Sequence, residues 1–233
     1  MKQSNGYGGP VAHYWSESLH YIWPAVDWRY QGLIEGFVSL YKKTGQKKFL
    51  NEAAKCGDFI LSGTKSDGSF LNDHFEDNPS FGRRSLVHDA AVDIGLLKLA
   101  FLLREKKYSY KKYLFAAMNN LENVLFPYFF DKEEKTFRQY EIGTYYLKEN
   151  LFVPNKICTA IELLLILYNK GKKKTYLKLA ENAAKKSTCA AGHFRLRWWD
   201  FSERYKREDY HILCSKVLFV VKRWIRIWLY LFC

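Results

Sequence analysis

The chain has 233 residues, 48% hydrophobic and 18% aromatic, which is enough apolar side chain for a sizeable core and too much for a disordered protein. Its formal net charge of +13 invites a nucleic-acid reading. The basic residues nevertheless cluster in pairs such as Lys42-Lys43, Lys47-Lys48, Lys106-Lys107 and Lys111-Lys112, at places that read as solvated turns, so no nucleic-acid partner is expected.

In chain order, residues 1–24 come first, as an aromatic loop segment carrying His13, Trp15, Glu17 and His20. Glu17 and His20 are two potential ligands at helical spacing, too few for a metal site. The opening residues lack the apolar run of a secretory leader, and a cytoplasmic location is expected.

Residues 25–187 carry a repeat. Arg29 to Tyr41 has small and apolar residues at helical spacing, followed by a turn at Thr44-Gly45 and a second helix from about Lys47 to Leu61. The pattern returns from Asp89 to Phe101 with a partner helix from about Tyr110 to Leu125. It returns again from Lys156 to Tyr168 with a partner from about Thr175 to Lys186. The first helix of each unit is rich in Gly, Ala and aliphatic residues and is expected to be buried on most sides, whereas the second interleaves Lys and Glu with its apolar positions as an outer helix does. Short turns join the helices within each unit. Long irregular segments, Lys65 to Arg84 and Asp131 to Pro154, join the units, which places the functional surface at the long-loop end.

Residues 188–233 break the pattern. Val217 to Cys233 is apolar, but Lys222, Arg223 and Arg226 in its middle argue against a membrane span, and no membrane partner is expected. Back-translation of Trp198 to Arg223 in a shifted frame permits a glycine turn followed by helical spacing of Ile, Ala and Leu, so this tail reads as a lost reading frame. The five cysteines (Cys56, Cys158, Cys189, Cys214, Cys233) form no CxxC and have no His-rich ligand spacing. Buried thiols are expected, with no metal and no cofactor.

The succession Leu40-Tyr41, Thr44-Gly45, Phe49-Leu50, Ala53-Ala54 and Asp67-Gly68-Ser69-Phe70, with Tyr176-Leu177 in the third unit, resembles the six-hairpin glycosidase superfamily. Unsaturated glucuronyl hydrolases and sugar epimerases belong to it. The resemblance implies an all-α fold, an incomplete (α/α)6 toroid, with a pocket where the inner helices begin. In this chain those starts hold Asp27-Trp28-Arg29, His88-Asp89 and Asn155-Lys156, and Asp73 and His74 lie in a loop that could reach the same mouth. Asp27, Asp89 and His88 are the candidate acid–base groups. Trp28, Arg29, Asn155, Lys156, Asp73 and His74 are the candidate substrate contacts, and Arg29 suits a sugar carboxylate.

Structural explanations exist for the same residues: Asp27 as a helix cap, Asp89 as an acid facing the helix dipole, Trp28 as core and His88 as a hydrogen-bonded structural histidine. Two functions follow. One is a glycoside hydrolase-like protein acting on an acidic carbohydrate, inactive if groups beyond these hairpins are needed. The other is an α/α-solenoid scaffold without catalysis. In either case inner helices without neighbours would favour self-association.

Overall fold

The structure is a computed structural model that describes residues 26–70, 85–142 and 154–186, together with the backbone of two short paired strands, β1 (Tyr14–Trp15) and β2 (His20–Tyr21). The tail 188–233 and the loop that holds Asp73 and His74 lie outside the described residues. The helices are α1 (Trp28–Thr44), α2 (Lys47–Ser62), α3 (Leu86–Glu105), α4 (Lys111–Asn120), α5 (Pro154–Gly171) and α6 (residues 174–186). They pair as three helical hairpins.

Asp27 starts α1. It is extended, and its carboxylate accepts from the Arg29 backbone N–H at 2.8 Å. Gly45 ends the helix in the left-handed region at φ 70°, where its N–H reaches the Tyr41 carbonyl at 2.8 Å. This is a glycine's task, because a Cβ is disfavoured there. Lys42 and Lys43 in the last turn complement the helix dipole. Tyr30, Ile34 and Val38, each one turn apart, are the buried stripe.

Helix α3 differs in kind. Apolar or small residues cover nearly its whole circumference, so it has neighbours all round: α1 on one side, α5 on the other, and α4 with α2 behind. A Cβ on Gly95 would lie 3.2 Å from the Gln31 Cα, so α1 and α3 approach backbone to backbone. One turn further on, the Lys98 Nζ donates to Glu35 of α1 at 2.9 Å and to Glu162 of α5 at 2.8 Å. Residue numbers on α1 and α3 rise together through these contacts, so the two helices run parallel. Burial alone would lower the Lys98 ammonium, but hydrogen bonds to Glu162 and Glu35 outweigh it and hold the group above its ordinary value.

The outer layer is fastened by Tyr113 of α4, whose hydroxyl donates to Asp58 at 2.7 Å and to the Ala54 carbonyl at 3.3 Å, both on α2. Beyond Asn120 the helix does not stop near Leu125 as expected. It widens into a π-helix, Leu121–Phe129, with Pro127 inside. A proline ring in an α-helix collides with the carbonyl four residues back and removes one donor; the wider π turn relieves that crowding. The chain then forms a hairpin, β3 (Phe130–Asp131) with β4 (Thr136–Phe137), inside the segment expected to be irregular. Phe126, Phe130 and Phe137 pack together there, with ring centroids 5.2–6.0 Å apart.

Part of the α1 surface is open. Trp28 is 51% exposed and Leu40 41%, and a Cβ on Gly32 or Gly36 would meet nothing within 4 Å. Burial pushes the Cys56 and Cys158 thiols up to about 11, which leaves them unreactive near neutrality. Among the described residues no helix is long and apolar enough to cross a membrane.

Candidate functional site

Because α1, α3 and α5 lie side by side and are clamped by Lys98, the starts of these helices form one end of the bundle. Asp27, His88-Asp89 and Asn155-Lys156 belong to those starts. The segment after β4 crosses the same end: the Leu86 N–H reaches the Gln139 carbonyl at 3.0 Å, and Ser85 bridges Tyr140. Lys156 of α5 places its ammonium 5.2 Å from the centroid of the Tyr140 ring, a cation–π contact. Gln139 and Tyr140 therefore link the beginnings of α3 and α5.

At the α1 corner Asp27 is buried and serves as the cap, and its second carboxylate oxygen pairs with the Arg29 guanidinium. That guanidinium also lies 4.8 Å from the Trp28 ring centroid. Expected as core by the structural reading, Trp28 is instead half-exposed at the mouth. Replacing Asp27 by Ala should cost about 1 kcal/mol of stability through loss of the cap. Urea unfolding checks this, and an unchanged midpoint would mean that the cap is dispensable.

Beneath the mouth lies a polar layer that sequence reading found only in part. Asp89 is fully buried and accepts from the Asn120 Nδ2 of α4 at 3.1 Å; the same amide donates to the Gly68 carbonyl at 3.1 Å. His88 is 8% exposed. Asp93, one turn after Asp89 on α3, is fully buried, and among the described residues neither of its carboxyl oxygens has a hydrogen-bond partner; the Asn120 Oδ1 has none there either. Burial, followed by the charge of Asp89, holds the Asp93 carboxyl well above the usual carboxylate range. Asp93 and Asn120 were both missed. A second acid inside an otherwise apolar helix was the available signal for Asp93, while Asn120 comes from an outer helix and carries none.

The side chain of Asn155 and all of Asp73 and His74 lie outside the described residues. Among the described residues no group of three or more His, Cys, Asp or Glu side chains is arranged to hold a metal ion.

Parallel inner helices, an outer helix behind each, and long connections at one end make up a partial (α/α)6 toroid. The structure is similar to that of an α-mannanase of glycoside hydrolase family 76 from Bacteroides thetaiotaomicron. Identity is 16% and the TM-score 0.54, over 79% of this chain and 54% of the mannanase, so the chain spans about half the length of the protein it matches. A family 76 glycoside hydrolase from a bovine strain of that species matches at 15% identity and TM-score 0.49, over 68% of this chain and 34% of that one. A family 76 mannosidase from Bacteroides thetaiotaomicron matches at 13% identity and TM-score 0.48, over 68% and 43%. No family model and no curated protein matches the sequence.

Proposed function

We propose that this chain is a glycoside hydrolase-like protein that receives a glycan at the mouth formed by the starts of α1, α3 and α5. The observation that carries this reading is Trp28. It is a large aromatic left 51% exposed at the start of an inner helix, next in sequence to Asp27 and at the same end of the bundle as Asp89. An indole face suits the apolar face of a pyranose ring, and a pair of carboxyl groups is what glycosidic bond cleavage normally uses.

In this reading Asp89 is the acid–base group, Asp27 the second carboxyl, and His88 a neighbour able to move a proton. Arg29, Lys156, Asn155, Asp73 and His74 are the polar contacts. The likeness to an α-mannanase makes neutral α-mannan oligosaccharides the first ligands to try. The acidic-sugar alternative depends on Arg29 leaving Asp27 to grip a sugar carboxylate.

Titration of the protein with α-mannan oligosaccharides and, separately, with uronic-acid oligosaccharides tests the proposal. Trp28→Ala should weaken the productive ligand about fivefold, corresponding to on the order of 1 kcal/mol for an aromatic platform, and Asp89→Asn should abolish any hydrolysis. Failure of both sugar classes to bind, alongside capture of an acidic polymer with a steep salt dependence, would replace the enzyme lineage with a scaffold role.

A further inference from the structure

Asp93 has no part in the site as drawn so far, and its surroundings are unusual. A fully buried carboxyl without a hydrogen-bond partner cannot keep a charge cheaply: desolvation of an isolated carboxylate is so costly that such groups take up a proton instead. Its neighbour on the same helical face is Asp89, because residues four apart on a helix stand one above the other. Asp89 is equally buried but already accepts a hydrogen bond from Asn120, which favours its charged form.

The two acids are therefore unequal. Among the described residues Asp89 has a donor and Asp93 has none. Among the described residues the charge that acts on Asp93 is that of Asp89 on its own helix, while α4 contributes only the neutral amide of Asn120 and no charge on α1 or α5 acts on it.

We propose that Asp93 is a positioning residue for Asp89, the two forming a buried acid pair in which Asp93 keeps the single proton and offers it toward Asp89, directly or through one water. One proton and one negative charge are shared by two carboxyls, as like charges at close range require. Asp93 would thereby hold Asp89 ionised and oriented, with Asn120 gripping it from the other helix. The unpartnered Asn120 Oδ1 gives a bridging water one acceptor beside the pair. This proposal rests on reading Asp89 as the acid–base group of the mouth.

The test uses the full chain and needs no substrate. Infrared difference spectra at neutral pH should show the carbonyl band of a protonated carboxylic acid. Asp93→Asn should remove that band, and Asp89→Asn should shift its frequency, because the hydrogen-bond acceptor of the Asp93 proton is changed. Circular dichroism establishes that each variant is folded, and the wild-type band stands even if a variant is not. Absence of the band in the wild type overturns the proposal, as does its persistence in Asp93→Asn. A band that Asp89→Asn leaves unmoved makes Asp93 a neutral core residue with no positioning role. Glycan binding is measured on the same samples, so failure of the functional reading leaves the infrared result for the pair intact.

Discussion

Asp93→Asn is expected to make the protein more stable at neutral pH, with a gain that grows as the pH rises. The Asp93 carboxyl titrates well above its ordinary range in the folded chain because it is buried beside Asp89. The sign follows from proton counting. Between the unfolded and folded values the folded state retains a proton that the unfolded state has lost, so folding takes up a proton and raising the pH opposes it. Stability is fully present below the ordinary carboxylate range. It falls as the pH rises through the window above that range, by up to about 1.4 kcal/mol per pH unit, and levels off once Asp93 ionises in the folded state. An asparagine has the same shape and no charge to lose, so its stability should lack this slope. Urea unfolding of both proteins from pH 4 to pH 8 measures the difference directly. Parallel stability curves for the two would show that a partner compensates the Asp93 charge in the native state.

The second large effect concerns glycines that look alike in sequence. Gly57 sits where α2 meets both α3 and α4. A Cβ there would come 2.7 Å from the Tyr113 Cε1 and 2.9 Å from the Leu99 Cδ2. Leu99 can rotate its terminal methyl away, but the Tyr113 ring is tethered through its hydroxyl to Asp58 and Ala54. Overpacking of this kind costs about 1–3 kcal/mol, against roughly 1 kcal/mol gained from the better helix propensity of alanine. Gly57→Ala should therefore destabilise the chain by up to about 2 kcal/mol, on the balance of those two contributions. Gly36→Ala meets open space and should stabilise it by up to about 1 kcal/mol. Thermal melts of the two variants give the comparison, and two melts shifted upward alike would mean that Tyr113 yields without cost.

Much of this architecture could be read from residue spacing. Arg29 to Tyr41 was expected to be helical and lies within Trp28–Thr44; the expected Lys47 to Leu61 falls within Lys47–Ser62. Spacing works here because one apolar stripe meets one core. It served less well where the cause was steric or tertiary. Helix α3 begins at Leu86 rather than Asp89, since its first turn is tied to the Gln139 carbonyl by a contact far along the chain. The second partner helix was expected to end at about Leu125, yet a π-helix carries the chain past Pro127 to Phe129.

The site divides in the same way. Asp27 as a cap follows from an acid just before an apolar helix. The open environment of Trp28 does not, because exposure depends on which helix packs beside α1. For Asp93, periodicity could place the residue but not show whether a partner awaited it.

The pair between Asp27 and Arg29 has one further consequence, for ligand choice. Both groups are committed to each other in the structure, so the arrangement able to grip an anion is a minor population. Its affinity for such a ligand is scaled by the fraction of molecules in which Arg29 has let go. If the pair is worth about 1 kcal/mol, near the upper value for a partly exposed ion pair, that fraction is roughly one in six, and an anionic ligand binds about sixfold more weakly than its contacts would allow. A neutral sugar stacked on Trp28 leaves the pair closed and incurs no such discount. In the proposed reading, the same two side chains that start α1 would favour uncharged glycans over anionic ones.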